Sequence, residues 1–407
     1  MIELMNRQII NERAIQIAQD NNLVALEWAT GVGKSKAALD IIASLHTQEP
    51  QFSVLLVVAE IAHIKNWQDE ADKWGYNSMY NEHVLVTTYA SLKNQVDKFF
   101  DIIILDEAHH VGSDLRLEFI QKIGFDKMVL LSATFGQELL PQLEGRLQQK
   151  IIIDTITLKN AIDWDILPDP SIYLIPLQLD NNTNSETITE EWGTKQKRRT
   201  IHCKYEDRWT YIANKKVHTD VSLIITCTPM QKYSFISDKI EYLKKMTFRT
   251  NNQGIRNKWL QMGSQRKRFL GDMKTEVARE VLKSIEGKRF ICFCSSIEQA
   301  NELGNGNAIH SKKDDPAMTI EQFNTGQIDS LFAVGMIKEG HNLTDIEAGV
   351  IIQLDGTERQ FIQKFGRSLR AKDPIQYIFY YEHTRDQEYL DKILEEVDNK
   401  YVQTMVL

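Results

Sequence analysis

The sequence predicts an α/β protein with two parallel-sheet units in tandem, and three observations carry that prediction. Its 407 residues exceed what one ordinary core holds, since domains run to about 100–200 residues. The first 155 residues alternate short apolar runs with helical stretches, and a second series of the same kind lies toward the C-terminus. The runs are continuous and rich in Val, Ile and Leu, as strands buried on both faces must be.

In the first series the strands are Leu23–Trp28, Val54–Ala59, His83–Thr87, Ile102–Leu105 and Met128–Leu131. In the second they are Phe290–Cys294, Leu331–Val334, Gly349–Leu354 and Tyr377–Tyr381, with Ile172–Leu177 and Leu223–Thr226 assigned to the same sheet. A Pro/Asp-rich stretch, Asp163–Pro170, separates them. The expected division is domain 1 over 1–155, a linker over 156–171, and domain 2 over 172–407 with an insertion at about 180–285. Within the insertion, polar Asn181–Glu191 reads as a loop. Thr200–Ile212 alternates apolar and polar residues around Glu206-Asp207 and reads as a β-hairpin. Thr228-Pro229 supplies an N-cap followed by proline at the first helical position, opening a helix near 229–246.

Apolar residues make up 42% and charged residues 26%, which excludes wholesale disorder. The longest apolar runs are about seven residues, too short to span a bilayer, and Met1–Arg7 has no signal-peptide pattern. Four cysteines (203, 227, 292, 294) make no disulfide framework, so a reducing, cytoplasmic compartment is expected. Net charge is −8, yet Lys195–Arg289 holds 23 Lys and Arg against 9 Asp and Glu, while the rest of the chain holds 25 against 47. One basic block in an acidic chain suits a surface that meets a polyanion; a solvated helical face is the plainer alternative.

Three motifs carry chemistry. Leu23–Trp28 runs into Ala29-Thr-Gly-Val-Gly-Lys-Ser35 and then an apolar-periodic helix, Lys36–Leu45. Strand, glycine-rich turn and Lys-Ser at a helix start form a phosphate cradle from Thr30, Gly31, Val32 and Gly33. Lys34 would neutralise the β- and γ-phosphates, and the Ser35 hydroxyl would reach Mg²⁺. Ile102–Leu105 ends in Asp106-Glu107-Ala108-His109. Carboxylates at the C-terminal end of a parallel strand sit where open α/β sheets bind ligands. Asp106 would hold Mg²⁺, and Glu107 would orient and deprotonate the attacking water. Third, Gln360–Arg370 contains Gln363, Arg367 and Arg370; the two arginines share a helix face. Such a pair can reach a γ-phosphate across a cleft, although Gly-Arg-x-x-Arg alone is more often a surface helix. Cys292 and Cys294 fall on one face of a strand and read as core. Gly304-Asn-Gly306 reads as a turn, and Tyr389, Leu390, Ile393, Leu394 and Val397 as a packed helix stripe.

The phosphate loop, the Asp-Glu-Ala-His box, Ser132-Ala-Thr134 and the Gln-x-x-Gly-Arg-x-x-Arg run occur in that order. The set resembles motifs I, II, III and VI of superfamily 2 helicases. Val86–Leu92 is similar to motif Ib, Phe290–Ser296 to motif IV and Gly335–Leu343 to motif V. The size and the box resemble the compact DNA helicases of the UvsW and XPB group. Trp28 departs from the family where a small residue opens motif I, Glu60 where a phosphate-binding threonine is frequent, and Asn342 where aspartate is common. The resemblance implies two RecA-like lobes with ATP and Mg²⁺ between them. Lys34, Ser35, Asp106 and Glu107 would lie on one side, and Gln363, Arg367 and Arg370 on the other. It implies that Gln8 reads adenine, that Gly340 and Asn342 meet the nucleotide, and that His109, Ser132 and Thr134 couple the site to movement. Thr88 would touch nucleic acid. In the basic block, Lys197, Arg198, Arg199, Arg266, Lys267 and Arg268, with Trp209 interleaved, are the expected grip. The expected activity is ATP-driven translocation or unwinding by a monomer on single-stranded or branched DNA. An RNA helicase and a translocase or binding subunit that never separates strands are the alternatives.

Overall fold

The computed structural model describes residues 2–46, 53–191, 197–205, 208–217, 222–313, 315–335, 343, 345–354, 371–395 and 397–407; for residues 2–4, 189–191, 197–205, 208–217 and 222–225 the description is of backbone alone. The first sheet comprises β1 (Leu23–Trp28), β2 (Val54–Val58), β3 (Val84–Thr88), β4 (Phe99–Leu105), β5 (Gly124–Ser132) and β6 (Ile152–Ile156). Its order is β3-β2-β4-β5-β1-β6, and every pair is parallel. Five strands match apolar runs of the sequence. The sixth, β6, is an edge strand with alternating burial, which a search for continuous runs passes over.

Helices cover both faces of this sheet: α1 (Ile2–Asp20), α2 (Lys34–His46), α3 (Ile61–Lys73), α4 (Asn77–His83), α5 (Asp114–Gln121), α6 (Leu139–Leu147) and α7 (Leu158–Asp163). Alternate residues of one strand enter opposite cores. Val54, Leu56 and Val58 pack with residues of α1 to α4, such as Ala14, Ile41, Trp67 and Tyr80. Leu55 and Val57 pack with Leu117, Ile120 and Leu143 of α5 and α6. Two cores on one strand explain the unbroken run Val54–Val58, in which all five residues are buried.

The second sheet joins β7 (Ser171–Leu177), β12 (Phe290–Cys294), β13 (Ala308–Ile309), β14 (Ser330–Val334), β15 (Ala348–Ile351), β16 (Ile375–Tyr381) and β17 (Val402–Thr404). The order is β13-β14-β12-β15-β16-β7-β17, again all parallel. Cys292 and Cys294 share a core with Phe290, as the alternation predicts, and both are buried free thiols.

Between β7 and β12 the chain leaves this sheet. There β8 (Glu186–Glu191) pairs antiparallel with β11 (Ser222–Cys227), and β9 (Lys197–Tyr205) with β10 (Arg208–Val217). Two expectations are corrected here. Leu223–Thr226 belongs to this separate two-stranded sheet and not to the second parallel sheet. Residues 186–191 form its partner strand and not a loop. The hairpin is present and longer than predicted. Two helices follow, α8 (Pro229–Thr250) and α9 (Gln253–Asp272). Thr228 caps α8 with a full capping box, its hydroxyl accepting from Gln231 N while Gln231 Oε1 accepts from Thr228 N. Asn251 closes α8 at φ 47°, and the Asn252 side chain caps α9.

The second parallel sheet is covered by α10 (Thr275–Ser284), α11 (Ile297–Gly304), α12 (Pro316–Asn324) and α13 (Arg385–Leu394). Leu390, Ile393 and Val397 enter the core, as the stripe predicts. At the base of the arm, the segment from β8 to α9, Leu179, Leu270 and Tyr381 form a small apolar cluster. Beside it Lys274 is fully buried, 2.6 Å from Asp386. Its ammonium also donates to Ile352 O at 2.8 Å and Phe379 O at 2.9 Å. A buried cation needs such complete pairing, because removing one partner typically costs about 3–5 kcal/mol. No helix among the described residues is long and apolar enough to cross a membrane.

Candidate functional site

The site forms where β1, β4 and β5 end. β1 stops at Trp28 and α2 starts at Lys34, leaving Ala29–Gly33 as the loop. Gly31 and Gly33 take φ of 89° and 115°, a region that favours glycine. Arg7 of α1 donates from Nη1 to Gly31 O (3.1 Å) and Val32 O (3.0 Å), and from Nη2 to Ile166 O (2.7 Å). With the Val32 carbonyl turned toward Arg7, the trans peptide geometry turns the amide of Gly33 to the opposite side, where an anion is received, while Val32 N closes the loop on Ala29 O at 3.3 Å. Trp28 is tied down away from the loop: its indole donates to Asp154 of β6 at 2.8 Å, and Arg13 pairs with the same carboxylate at 3.0 Å. A bulky residue therefore opens the loop without filling it.

Lys34 donates to Trp28 O at 2.7 Å. Burial holds its ammonium below the usual lysine range, against the pull of Glu107 and Asp106. Asp106 follows β4, and its backbone N donates to Val57 O at 2.9 Å. Its Oδ2 accepts from the Trp67 indole at 2.8 Å and its Oδ1 from Glu107 N at 3.0 Å. Burial, then the neighbouring Glu107, push its carboxyl up to about 6, against the Trp67 hydrogen bond and the His63 and Lys34 charges. Glu107 is held at φ 46°, a strained conformation for a residue with a side chain.

From Glu107 a polar chain leads to the end of β5. His109 Nδ1 lies 3.3 Å from Glu107 Oε2 and 3.3 Å from Ser132 Oγ. Ser132 is fully buried; its hydroxyl donates to Thr134 O at 2.7 Å and accepts from Thr134 N at 3.3 Å. Glu27 of β1 accepts from Phe135 N at 3.0 Å, fixing the same turn from the other side.

The structure thus brings Thr30, Gly31, Val32, Gly33, Lys34, Ser35, Asp106, Glu107, His109, Ser132 and Thr134 to the same end of one sheet. Gln8 is exposed and donates to Glu12, so the α1 residue that touches the loop is its neighbour Arg7. Thr88 ends β3 and bonds Ser91. Lys197, Arg198, Arg199 and Trp209 lie on the paired strands β9 and β10. On α9, Arg266 donates to Ser237 at 3.3 Å, Lys267 lies over the Tyr389 ring at 5.6 Å, and Arg268 is exposed. Gly340, Asn342, Gln363, Arg367 and Arg370 lie outside the described residues. Sequence reasoning missed Arg7 as a loop ligand, along with Trp67, His63 and Asp154. Their interactions cross from 24 to 159 residues of chain, and no local pattern marks them.

Residues 2–137 match the family described as type III restriction enzyme, res subunit, and residues 273–372 match the helicase conserved C-terminal domain. The order of the two families along the chain follows the order of the two sheets. The chain is a superfamily 2 helicase. The helicase is 21% identical over 367 residues to the DNA 3'-5' translocase XPB2 of Sulfurisphaera tokodaii, covering 84% of this chain and 74% of that protein. Its fold is similar to the Pyrococcus furiosus Hef helicase domain (TM-score 0.50, 12% identity, 95% and 97% of the two chains). It is also similar to Saccharomyces cerevisiae Dbp5 bound to RNA and ADP BeF3 (TM-score 0.58, 12% identity, 98% and 89%). Both parallel sheets are accordingly RecA-like, and the helicase is an ATP-hydrolysing enzyme that acts on nucleic acid.

Proposed function

We propose that this helicase is a Mg²⁺-dependent, ATP-driven translocase of the UvsW and XPB type that moves along DNA, as a cytoplasmic monomer, at forks and branches. The observation that carries this reading is the charge placed on the arm. Arg198 sits opposite Lys216 and Arg199 opposite Lys215 across the β9–β10 pair. Like charges directly opposite destabilise an isolated hairpin, so this register is favoured when a polyanion lies on it. Beyond it, Lys244, Lys245, Arg249, Arg256 and Lys258 are exposed around the α8–α9 turn, beside Phe248, which is 75% exposed and 6.3 Å from the Trp259 ring. Cations with aromatic faces suit single-stranded nucleic acid, and the likeness to a DNA translocase favours DNA.

In this reading Lys34 and the loop amides bind the β- and γ-phosphates. Ser35 and Asp106 hold the metal; a hydroxyl and a carboxylate are the hard oxygen donors Mg²⁺ takes, and a second acid beside Asp106 leaves negative charge for it to offset. The ion would neutralise charge on the phosphates. Glu107 takes the proton of the attacking water, and His109 and Ser132 relay the state of the site to the Thr134 turn. Gln363, Arg367 and Arg370 would complete the site from the second lobe, with Gly340 and Asn342 on the nucleotide. Domain 1 then spans about 1–155 and domain 2 about 172–407. ATPase rates measured alone and with single-stranded DNA, duplex, forked DNA and RNA test it. Strongest stimulation by forked or single-stranded DNA is expected; stimulation by RNA alone would replace DNA as the substrate.

A further inference from the structure

Trp67 lies in the middle of α3, 39 residues from Asp106 in the chain, and is 3% exposed. A buried tryptophan on a helix ordinarily packs, and its ring does pack in the cluster with Ala71 and Tyr80. The indole N–H has another partner. An indole only donates, and this one donates to Asp106 Oδ2 at 2.8 Å, while Oδ1 takes the Glu107 amide at 3.0 Å. Each oxygen of the carboxylate therefore has one fixed donor, and its plane is set. Each oxygen keeps a second lone-pair direction. His63, one turn earlier on the same face, brings Nδ1 to 4.0 Å from Oδ2, beyond hydrogen-bond reach, so the indole carries the interaction.

We propose that Trp67 is a positioning residue of the ATPase: its N–H fixes the orientation of the Asp106 carboxylate and so decides which oxygen is offered to the metal of the bound nucleotide. The inference rests on the reading of Asp106 as the metal-holding acid. The path is short and stiff. β2 delivers both the carbonyl that receives Asp106 N and the start of α3, so strand, helix and carboxylate form a closed loop of interactions.

Trp67→Phe keeps an aromatic ring in the cluster and removes the donor. The expected result is a DNA-stimulated kcat about 10- to 100-fold lower, the loss typical of one hydrogen bond to an ionised group. KM for ATP at saturating Mg²⁺ should stay near the parental value, the Mg²⁺ concentration for half-maximal rate should rise, and the free protein should stay folded, melting somewhat lower because its buried carboxylate has lost a donor. Where phenylalanine leaves too large a void, benzothienylalanine at position 67, indole-shaped but without the N–H, gives the same readouts. The second arm compares Asp106→Asn with the Asp106→Asn/Trp67→Phe pair through affinity for a fluorescent ADP with Mg²⁺, which needs no turnover. If Trp67 acts through the carboxylate, its replacement adds nothing in the Asp106→Asn background. A folded Trp67→Phe with parental kcat and metal requirement overturns the proposal, and so does a loss that simply adds to that of Asp106→Asn. If Asp106→Asn itself leaves the metal requirement unchanged, the metal-holding role of Asp106 is wrong, and additivity alone then decides whether Trp67 positions it.

Discussion

The ammonium of Lys34 lies 2.7 Å from the carbonyl oxygen of Trp28, where β1 gives way to the phosphate loop. Its charge is lodged on its own loop, in a buried setting that already lowers its proton affinity. Phosphate must draw it off that carbonyl.

Lys34→Ala therefore removes the charge that grips the phosphates and leaves the loop backbone in place. ATP affinity and turnover should fall together, with kcat/KM down by about 10²–10³. Equilibrium binding of a fluorescent nucleotide, beside steady-state ATPase, measures both.

Glu107→Gln should separate the two. The amide fills the same space and cannot take a proton, so ATP binding is retained while kcat drops by about 10²–10⁴. Turnover at the parental rate would remove Glu107 as the base.

Arg367→Ala and Arg370→Ala should each lower kcat far more than nucleotide affinity, up to about 10³-fold or beyond for a residue acting as an arginine finger. Equal losses in binding and turnover would give the arginines a ground-state role instead.

Asp106 makes stability depend on pH. Its carboxyl is raised from 3.8 to about 6 in the folded protein, so between those values the native state holds a proton that the unfolded chain has released. Stability of the nucleotide-free, metal-free protein then falls as pH rises through that window and levels off above it. Asp106→Asn abolishes this titration. It should be more stable than the parent at pH 7.5, by up to about 3 kcal/mol, with the advantage fading toward pH 4. Melting curves at the two pH values check the sign; an advantage that grows on acidification would contradict it.

Neutralising Lys197, Arg198 and Arg199 together should weaken DNA binding and flatten its salt dependence. The log–log slope should fall by about 0.7–0.9 for each phosphate that the arm ceases to neutralise. ATP binding should stay parental. Unchanged DNA affinity, slope and stimulated ATPase would leave these cations outside the grip.

The inner strands of both parallel sheets are legible because strands buried on two faces leave unbroken apolar runs, whereas the edge strands β6, β13 and β17 leave none; the phosphate loop and acidic pair are legible because each is contiguous in sequence. Thr228-Pro229 marked the start of α8 for the same local reason. The arm was harder to read. In β8 the residues Glu186-Thr-Ile-Thr-Glu-Glu191 carry one apolar side chain, Ile188, because only the small cluster of Ile188, Cys227 and Phe235 backs this two-stranded sheet. Ser222–Cys227 looks like a core strand, yet an apolar run fixes the strand and not the sheet it joins. The hydrogen bonds of Arg7 and Trp67 depend on how distant helices dock, which no local spacing encodes.

Leu179 and Leu270 meet at Tyr381, so the arm's way out and way back lie side by side. Such an arrangement makes the arm an interchangeable cassette. Cutting at two adjacent points and closing the gap with a few residues would leave both parallel sheets and their order intact. The segment between the two cut points could then be replaced by another while both parallel sheets stay as they are.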